Sequence, residues 1–164
     1  MRLRVRMFVI LCCFAVGVPS AYAGDVRFPQ QGYPAISFHI PDGWTARVSE
    51  GNMIVHSADG SSNFSFSIVE FDGSLDELAL AAMQMVKAAP PRRYATSVSG
   101  FGGYAYYSTM TGDAGAPLNV KMIAVKVDAK HVATGTLITD AHISKTNMAT
   151  AETVLDGMSV VTSP

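Results

Sequence analysis

Apolar and polar residues alternate along much of the chain from residue 35 onward. Ile36, Phe38 and Ile40 are separated by polar residues, which predicts a β-strand with one buried face. The turn residues Pro41, Asp42 and Gly43 follow directly, so we expect the next strand to run back beside the first. The pattern continues through two further turns and predicts a four-stranded antiparallel meander, with strands at 35–40, 45–49, 53–57 and 63–71.

The apolar spacing changes from two to about 3.6 residues after this run, which predicts a helix that starts near Leu75. Ser74 and Glu77 have the spacing of a capping box, and Pro90-Pro91 ends the helix. Alternation then returns, and a second helical spacing occupies residues 144–158. The predicted later strands are 94–98, 104–109, 119–127 and 132–139.

The strand at 119–127 is apolar on both faces, so it requires cover on both sides of its sheet. Four strands, a helix, four strands and a helix predict an α+β fold, in which an antiparallel β-sheet is flanked by helices. We predict three segments: a signal peptide at 1–23, an extended lead-in at 24–33 and a single domain at 34–164.

Residues 1–23 have the composition of a secretory signal peptide. Arg2, Arg4 and Arg6 precede an apolar stretch at 7–18, and Ala21-Tyr22-Ala23 has the small residues of a cleavage site. A bilayer span requires about 20 apolar residues, so this stretch is too short for a retained anchor. We predict cleavage after Ala23, a periplasmic or secreted protein, and no stable membrane insertion after cleavage.

Cysteine content and charge narrow the possible chemistry. Cys12 and Cys13 are the only cysteines and lie in the predicted signal, so the exported protein would have no disulfide or thiol nucleophile. Three of the 12 lysine and arginine residues also lie there, which leaves nine against 13 acidic residues and a formal charge of −4. This balance argues against a nucleic-acid partner.

Several segments resemble PsbP-like domains. They are the strand and turn at 38–44, the helix start Ser74-Leu75-Asp76, the glycine-rich turn at 98–103 and the closing Met158-Ser159-Val160. The resemblance covers residues 34–161 and implies an α/β/α sandwich with a central antiparallel sheet. It also implies a protein that binds partners rather than a catalyst, and it transfers no catalytic residue to this sequence.

The histidines and acidic residues are weak candidates for a metal or catalytic site. His39 and His56 would approach each other in the predicted meander, but nothing in their spacing indicates metal ligation. Asp140 and His142 provide two members of a catalytic triad without an identified serine, and a polar turn explains them better. We therefore predict no metal, no cofactor and no enzymatic activity.

One group of residues has the composition of a protein-binding surface. Arginine and tyrosine are enriched at interface hot spots, although tyrosine is also an ordinary strand residue. The candidate interaction residues are Arg92, Arg93, Tyr94, Phe101, Tyr104 and Tyr106.

Two functions follow as hypotheses from different classes. In the first, the protein is a non-enzymatic accessory protein that binds another envelope or secreted protein. In the second, it binds a small apolar ligand in a pocket between the sheet and a helix, because methionine-rich surfaces form adaptable apolar cavities.

Overall fold

The computed structural model describes residues 20–21, 23–112 and 115–163. The predicted signal peptide therefore lies outside the described residues, except for Ser20, Ala21 and Ala23. The elements are β1 (Ser20–Ala21), β2 (Gly24–Phe28), β3 (Ala35–Ile40), β4 (Thr45–Ser49), β5 (Asn52–His56), β6 (Ser62–Glu70), α1 (Leu75–Met85), β7 (Arg92–Val98), β8 (Phe101–Thr111), β9 (Pro117–Lys126), β10 (His131–Asp140), α2 (Lys145–Asp156) and β11 (Ser159–Val161).

Most of the strands form one large antiparallel sheet with the order β1-β4-β5-β6-β10-β9-β8-β7. The meander β4-β5-β6 is continuous with a second meander, β7-β8-β9-β10, because β10 pairs with β6 along nine residue pairs. In the part of the chain that the structure describes, β7 is the last strand on its side of this sheet.

The first predicted strand lies in a different sheet from the one expected. β3 pairs with β2 and β11 in a three-stranded sheet, and β4 pairs with β5 and β1. Phe38 of β3 stacks on Phe66 of the large sheet, with ring centroids 3.9 Å apart. The predicted β3–β4 hairpin is therefore wrong. The chain changes sheets at the turn, and the face of β3 that carries Ile36, Phe38 and Ile40 is buried in the core between the two sheets.

The predicted lead-in is also wrong in part, since residues 24–28 form β2. Val26 and Phe28 of this strand pack against the core between the two sheets. Regular alternation is absent because β2 is a short edge strand with a mixed burial pattern.

Two apolar cores lie on opposite faces of the large sheet, as the two-sided pattern of β9 predicts. On the face that we call the α1 face, Met122 and Ala124 pack against α1. On the opposite face, which we call the α2 face, Ile123 and Val125 belong to a core shared with α2 and the small sheet. Gly135 permits close packing there, because a Cβ atom on it would lie 2.8 Å from Leu155 Cδ1 of α2.

The predicted α+β architecture is confirmed, with α1 on one side of the large sheet and α2 and the small sheet on the other. The capping box is also confirmed: Ser74 Oγ accepts a hydrogen bond from the Glu77 backbone, and Glu77 accepts one from the Ser74 backbone. Within residues 20–163 as described, neither helix has the length and apolarity needed to cross a lipid bilayer.

Candidate functional site

The alternation of side chains along β7 and β8 divides the predicted Arg/Tyr cluster between the two faces of the sheet. Arg93 lies opposite Tyr106 on the α1 face, and Arg92 lies opposite Tyr107 on the α2 face. Tyr104 shares the α1 face, whereas Tyr94 and Phe101 share the α2 face, and Phe101 packs against the core there. The six residues therefore form two separate groups.

The α1-face group fastens the first turn of α1 to the sheet. Asp76 pairs with Arg93 and accepts a 2.9 Å hydrogen bond from the Tyr106 hydroxyl. The Arg93 guanidinium also lies 4.5 Å from the centre of the Tyr104 ring. These residues satisfy one another, so their arrangement is that of a structural contact.

The same contacts change the ionisation of the group. The hydrogen bond from Arg93, followed by that from Tyr106, lowers the pKa of Asp76. Burial raises the pKa of Tyr106, and its hydrogen bond to Asp76 adds to the effect. Asp76 is therefore an anion and Tyr106 a neutral donor at neutral pH, which keeps the contact intact.

The α2-face group is exposed at the edge of the sheet. Tyr94 is 59% exposed and Tyr107 is 41% exposed, and their rings meet edge to face with centroids 5.5 Å apart. Arg92 lies beside them and makes no ion pair with any described residue. We call Arg92, Tyr94 and Tyr107 the β7 patch.

Tyr107 is absent from the residues predicted by sequence. It follows Tyr106 directly, and successive residues of a strand point to opposite faces. Since Tyr106 is buried, its neighbour had to face the other side. The pattern of alternation within β8 could have identified it.

A groove of about 510 Å³ adjoins the β7 patch on the α2 face, between the sheet and the side of α2. We call it the α2 groove. Two rows of side chains from neighbouring strands line it: Tyr107, Lys121 and Leu137 in one row, and Thr109, Asn119 and Thr139 in the next. Arg92 lies at one end of the first row, and Met148 and Glu152 of α2 form the wall.

Lys121 holds the wall of the groove in place. Its ammonium lies 2.8 Å from Asp156 Oδ1 and 3.9 Å from Glu152 Oε1, while its side chain is only 12% exposed. Burial alone lowers the pKa of Lys121, but the hydrogen bond and charge of Asp156 outweigh it, and the net shift is upward. The charge of Lys121 is therefore permanent at neutral pH and is neutralised by α2.

Thr139 is the unusual residue of the groove. It is 1% exposed, and its hydroxyl oxygen is buried without a hydrogen-bond partner in the described part of the protein. Buried hydroxyl groups are nearly always hydrogen-bonded, because leaving one unpaired costs free energy. The groove lies between the sheet and α2, where the ligand-pocket hypothesis places a site, and its lining combines polar side chains with apolar ones.

The predicted histidine candidates lie in local contacts. His39 Nδ1 is 2.9 Å from Asp25 Oδ1 on the neighbouring strand, and His56 contacts Asn63. Among the described residues, no three histidine, cysteine or acidic side chains form a group that could hold a metal ion. Asp140 Oδ1 accepts a 2.7 Å hydrogen bond from the backbone of His142, as expected for a polar turn.

Comparison with solved structures identifies the fold. No protein-family model matches the sequence, and no curated protein matches it either. The cyanobacterial PsbP protein CyanoP of Synechocystis sp. PCC 6803 is similar in structure, with a TM-score of 0.60 and 17% identity over 93% of this chain and 99% of its own.

Two further solved structures share the architecture. The Ran-binding protein Mog1p of Saccharomyces cerevisiae has a TM-score of 0.58 and 9% identity over 87% of this chain and 97% of its own. LpqN, involved in cell envelope biogenesis of Mycobacterium tuberculosis, has a TM-score of 0.50 and 15% identity over 84% of this chain and 89% of its own.

A protein of Bacteroides thetaiotaomicron is longer, and this chain matches only 45% of its length. The match has a TM-score of 0.50 and 13% identity, and it covers 77% of this chain. At identities this low, the structural similarity establishes the architecture but not the activity. The chain has the fold of PsbP-like proteins.

Proposed function

We propose that the protein is an exported, non-enzymatic accessory protein that binds another envelope protein through the β7 patch. The observation that carries this proposal is the exposed, edge-to-face pair of Tyr94 and Tyr107 beside Arg92. Tyrosine and arginine dominate interface hot spots, because they combine a large apolar contact area with a hydrogen-bonding group.

The structural relatives support a binding role in general terms. Mog1p is a Ran-binding protein, and LpqN is involved in cell envelope biogenesis. Neither description identifies a partner for this chain, so the partner has to be found by experiment.

The proposal that the protein is exported rests on the composition of residues 1–23. Cleavage after Ala23 would remove β1, which pairs with β4 through Ser20 and Ala21. The rest of the large sheet does not depend on this two-residue strand, because β4 also pairs with β5 along five residue pairs.

Site-specific crosslinking in the native envelope tests the partner surface. A photoreactive phenylalanine derivative is placed at Tyr94 or, as a control, at Leu80, which is 45% exposed on α1 on the opposite face of the sheet. We expect one discrete adduct from the position of Tyr94 and none of the same mass from the position of Leu80. Equal labelling from both positions, or none from either, would overturn the proposal.

Adjacent arginines then provide a matched pair of variants for the purified complex. Arg92→Ala removes an exposed side chain of the β7 patch, whereas Arg93→Ala removes one that pairs with Asp76. Hot-spot residues typically contribute about 2 kcal/mol or more. We therefore expect Arg92→Ala to raise Kd at least tenfold and Arg93→Ala to change it much less, and equal effects would contradict the assignment.

A further inference from the structure

We propose that the α2 groove binds a small, elongated organic acid whose carboxylate pairs with Arg92 and whose far end carries a hydrogen-bonding group for Thr139. The proposal does not depend on the existence of a protein partner. It rests on three features of the groove: an unpaired cation at one end, an unpaired buried hydroxyl at the other, and apolar side chains that line part of the space between them.

The charges of the groove favour an anion at the β7 end. Lys121 is neutralised by Asp156 and Glu152, whereas Arg92 has no acidic partner among the described residues. An arginine presents several donors in one plane and binds carboxylates with two parallel hydrogen bonds. Arg92 is thus the uncompensated cation of the groove.

The distance between the two ends sets the length of the ligand. Arg92 and Leu137 lie in the same row across the sheet and are separated by three strand spacings. Thr139 lies two residues farther along β10. With about 4.8 Å between strands, the Cα atoms of Arg92 and Thr139 are about 16 Å apart, which is too far for one functional group to bridge. Strand side chains stand roughly perpendicular to the sheet, so most of this distance is left to the ligand. With a hydrogen bond of about 3 Å at each end, the remaining length of about 10 Å corresponds to a chain of about eight carbon atoms.

The middle of the groove offers apolar surface beside the Lys121–Asp156 ion pair. Leu137, the ring of Tyr107 and the thioether of Met148 provide apolar surface between the two ends. Thr139 and the flexible Met148 both line the groove, and the proposal requires lining side chains to move so that the buried Thr139 hydroxyl reaches the ligand. Asn119 lies directly opposite Thr139 and adds an amide at the same end. The volume of the groove is in the usual range for small-molecule sites.

Three probes of equal length separate the contributions. They are ω-hydroxyoctanoate, with both functional groups, octanoate, with the acid alone, and octanediol, without charge. Each is titrated into the purified protein while backbone amide signals are followed by NMR. We expect the largest shifts at Asn119, Lys121 and Thr139, and the tightest binding for ω-hydroxyoctanoate.

Two variants assign the ends of the ligand. Arg92→Gln should weaken both acids at least fivefold and leave octanediol unchanged. Thr139→Val should remove the preference for ω-hydroxyoctanoate over octanoate without affecting octanoate itself. Arg93→Gln serves as the control, since Arg93 lies on the α1 face and does not line the groove.

The proposal is overturned if none of the probes binds at millimolar concentration, if the shifts lie outside the groove, or if Arg92→Gln and Arg93→Gln have equal effects. The titration uses the protein alone, so its failure leaves the proposed partner surface standing. Conversely, a failed crosslink at Tyr94 does not affect the titration.

Discussion

At the scale of single residues, two buried threonines of β10 differ in their hydrogen bonding. Thr134 and Thr139 are both buried, at 6% and 1% exposed. The Thr134 hydroxyl lies 2.8 Å from Ser67 Oγ, whereas the Thr139 hydroxyl has no partner among the described residues. A buried hydroxyl group stabilises a fold only when it is hydrogen-bonded.

Replacing each threonine by valine, which has nearly the same shape, tests this difference. We expect Thr139→Val to raise the free energy of unfolding by about 1 kcal/mol and Thr134→Val to lower it by about as much. Urea denaturation of the two variants measures both values. A loss of stability in Thr139→Val would show that its hydroxyl is paired, for example with a buried water molecule.

The candidate site shows how far residue types alone can locate a surface. Composition drew attention to residues 92–94, and alternation along the strand separates Arg92 from Arg93. It does not reveal that Asp76, 17 residues earlier, pairs with Arg93. That contact depends on where α1 lies on the sheet, which is a property of the folded chain.

At the scale of elements, one aspartate connects the turn before β6 with the start of α2. Asp59 accepts hydrogen bonds from Ser57 Oγ at 2.7 Å and from the Ser61 backbone at 3.0 Å, and its Oδ2 accepts one from the Asn147 amide at 2.6 Å. The hydrogen bonds from Ser57, followed by those from Ser61, lower the pKa of Asp59 to about 2. The ionised carboxylate is therefore the form that the fold favours.

This shift predicts a loss of stability in acid. A carboxylate with a lowered pKa in the folded state stabilises the protein fully above the ordinary value of 3.8, and the contribution disappears as the pH falls toward about 2. We expect Asp59→Asn to have a lower Tm at pH 6 and a shallower decrease of Tm between pH 5 and 2. Asp42→Asn, at an exposed turn, is the control and should follow the unaltered protein. Parallel curves for Asp59→Asn and the unaltered protein would contradict the prediction.

The elements also show which parts of the fold are encoded locally. The capping box places the start of α1 correctly, and the two-sided apolar pattern of β9 correctly indicates cover on both faces. The partner of β3 could not be predicted, because alternation identifies a strand and its buried face but not its neighbours. One neighbour, β11, has three residues, which is too short for any periodic pattern.

At the scale of the whole molecule, the small sheet joins an early and a late segment of the described chain. β3 lies between β2, which is the second described strand, and β11, which is the last. Arg27 secures the segment after β2 by donating hydrogen bonds to the carbonyl groups of Gln30, at 3.0 Å, and Gly32, at 2.5 Å. The small sheet closes the α2-face core, so residues 24–33 belong to the folded domain.

Deleting residues 24–31 tests this conclusion. The deletion removes β2 with Val26 and Phe28 from the core and exposes one edge of β3. Loss of a buried phenylalanine alone typically costs about 3 kcal/mol or more, and we expect the free energy of unfolding to fall by at least that amount. A chain that begins at Gly24 is the control. Of the described elements it lacks only β1, so it should unfold at nearly the same denaturant concentration as the full chain. Equal stability of the deletion variant and this control would instead make residues 24–31 a lead-in that the core does not require.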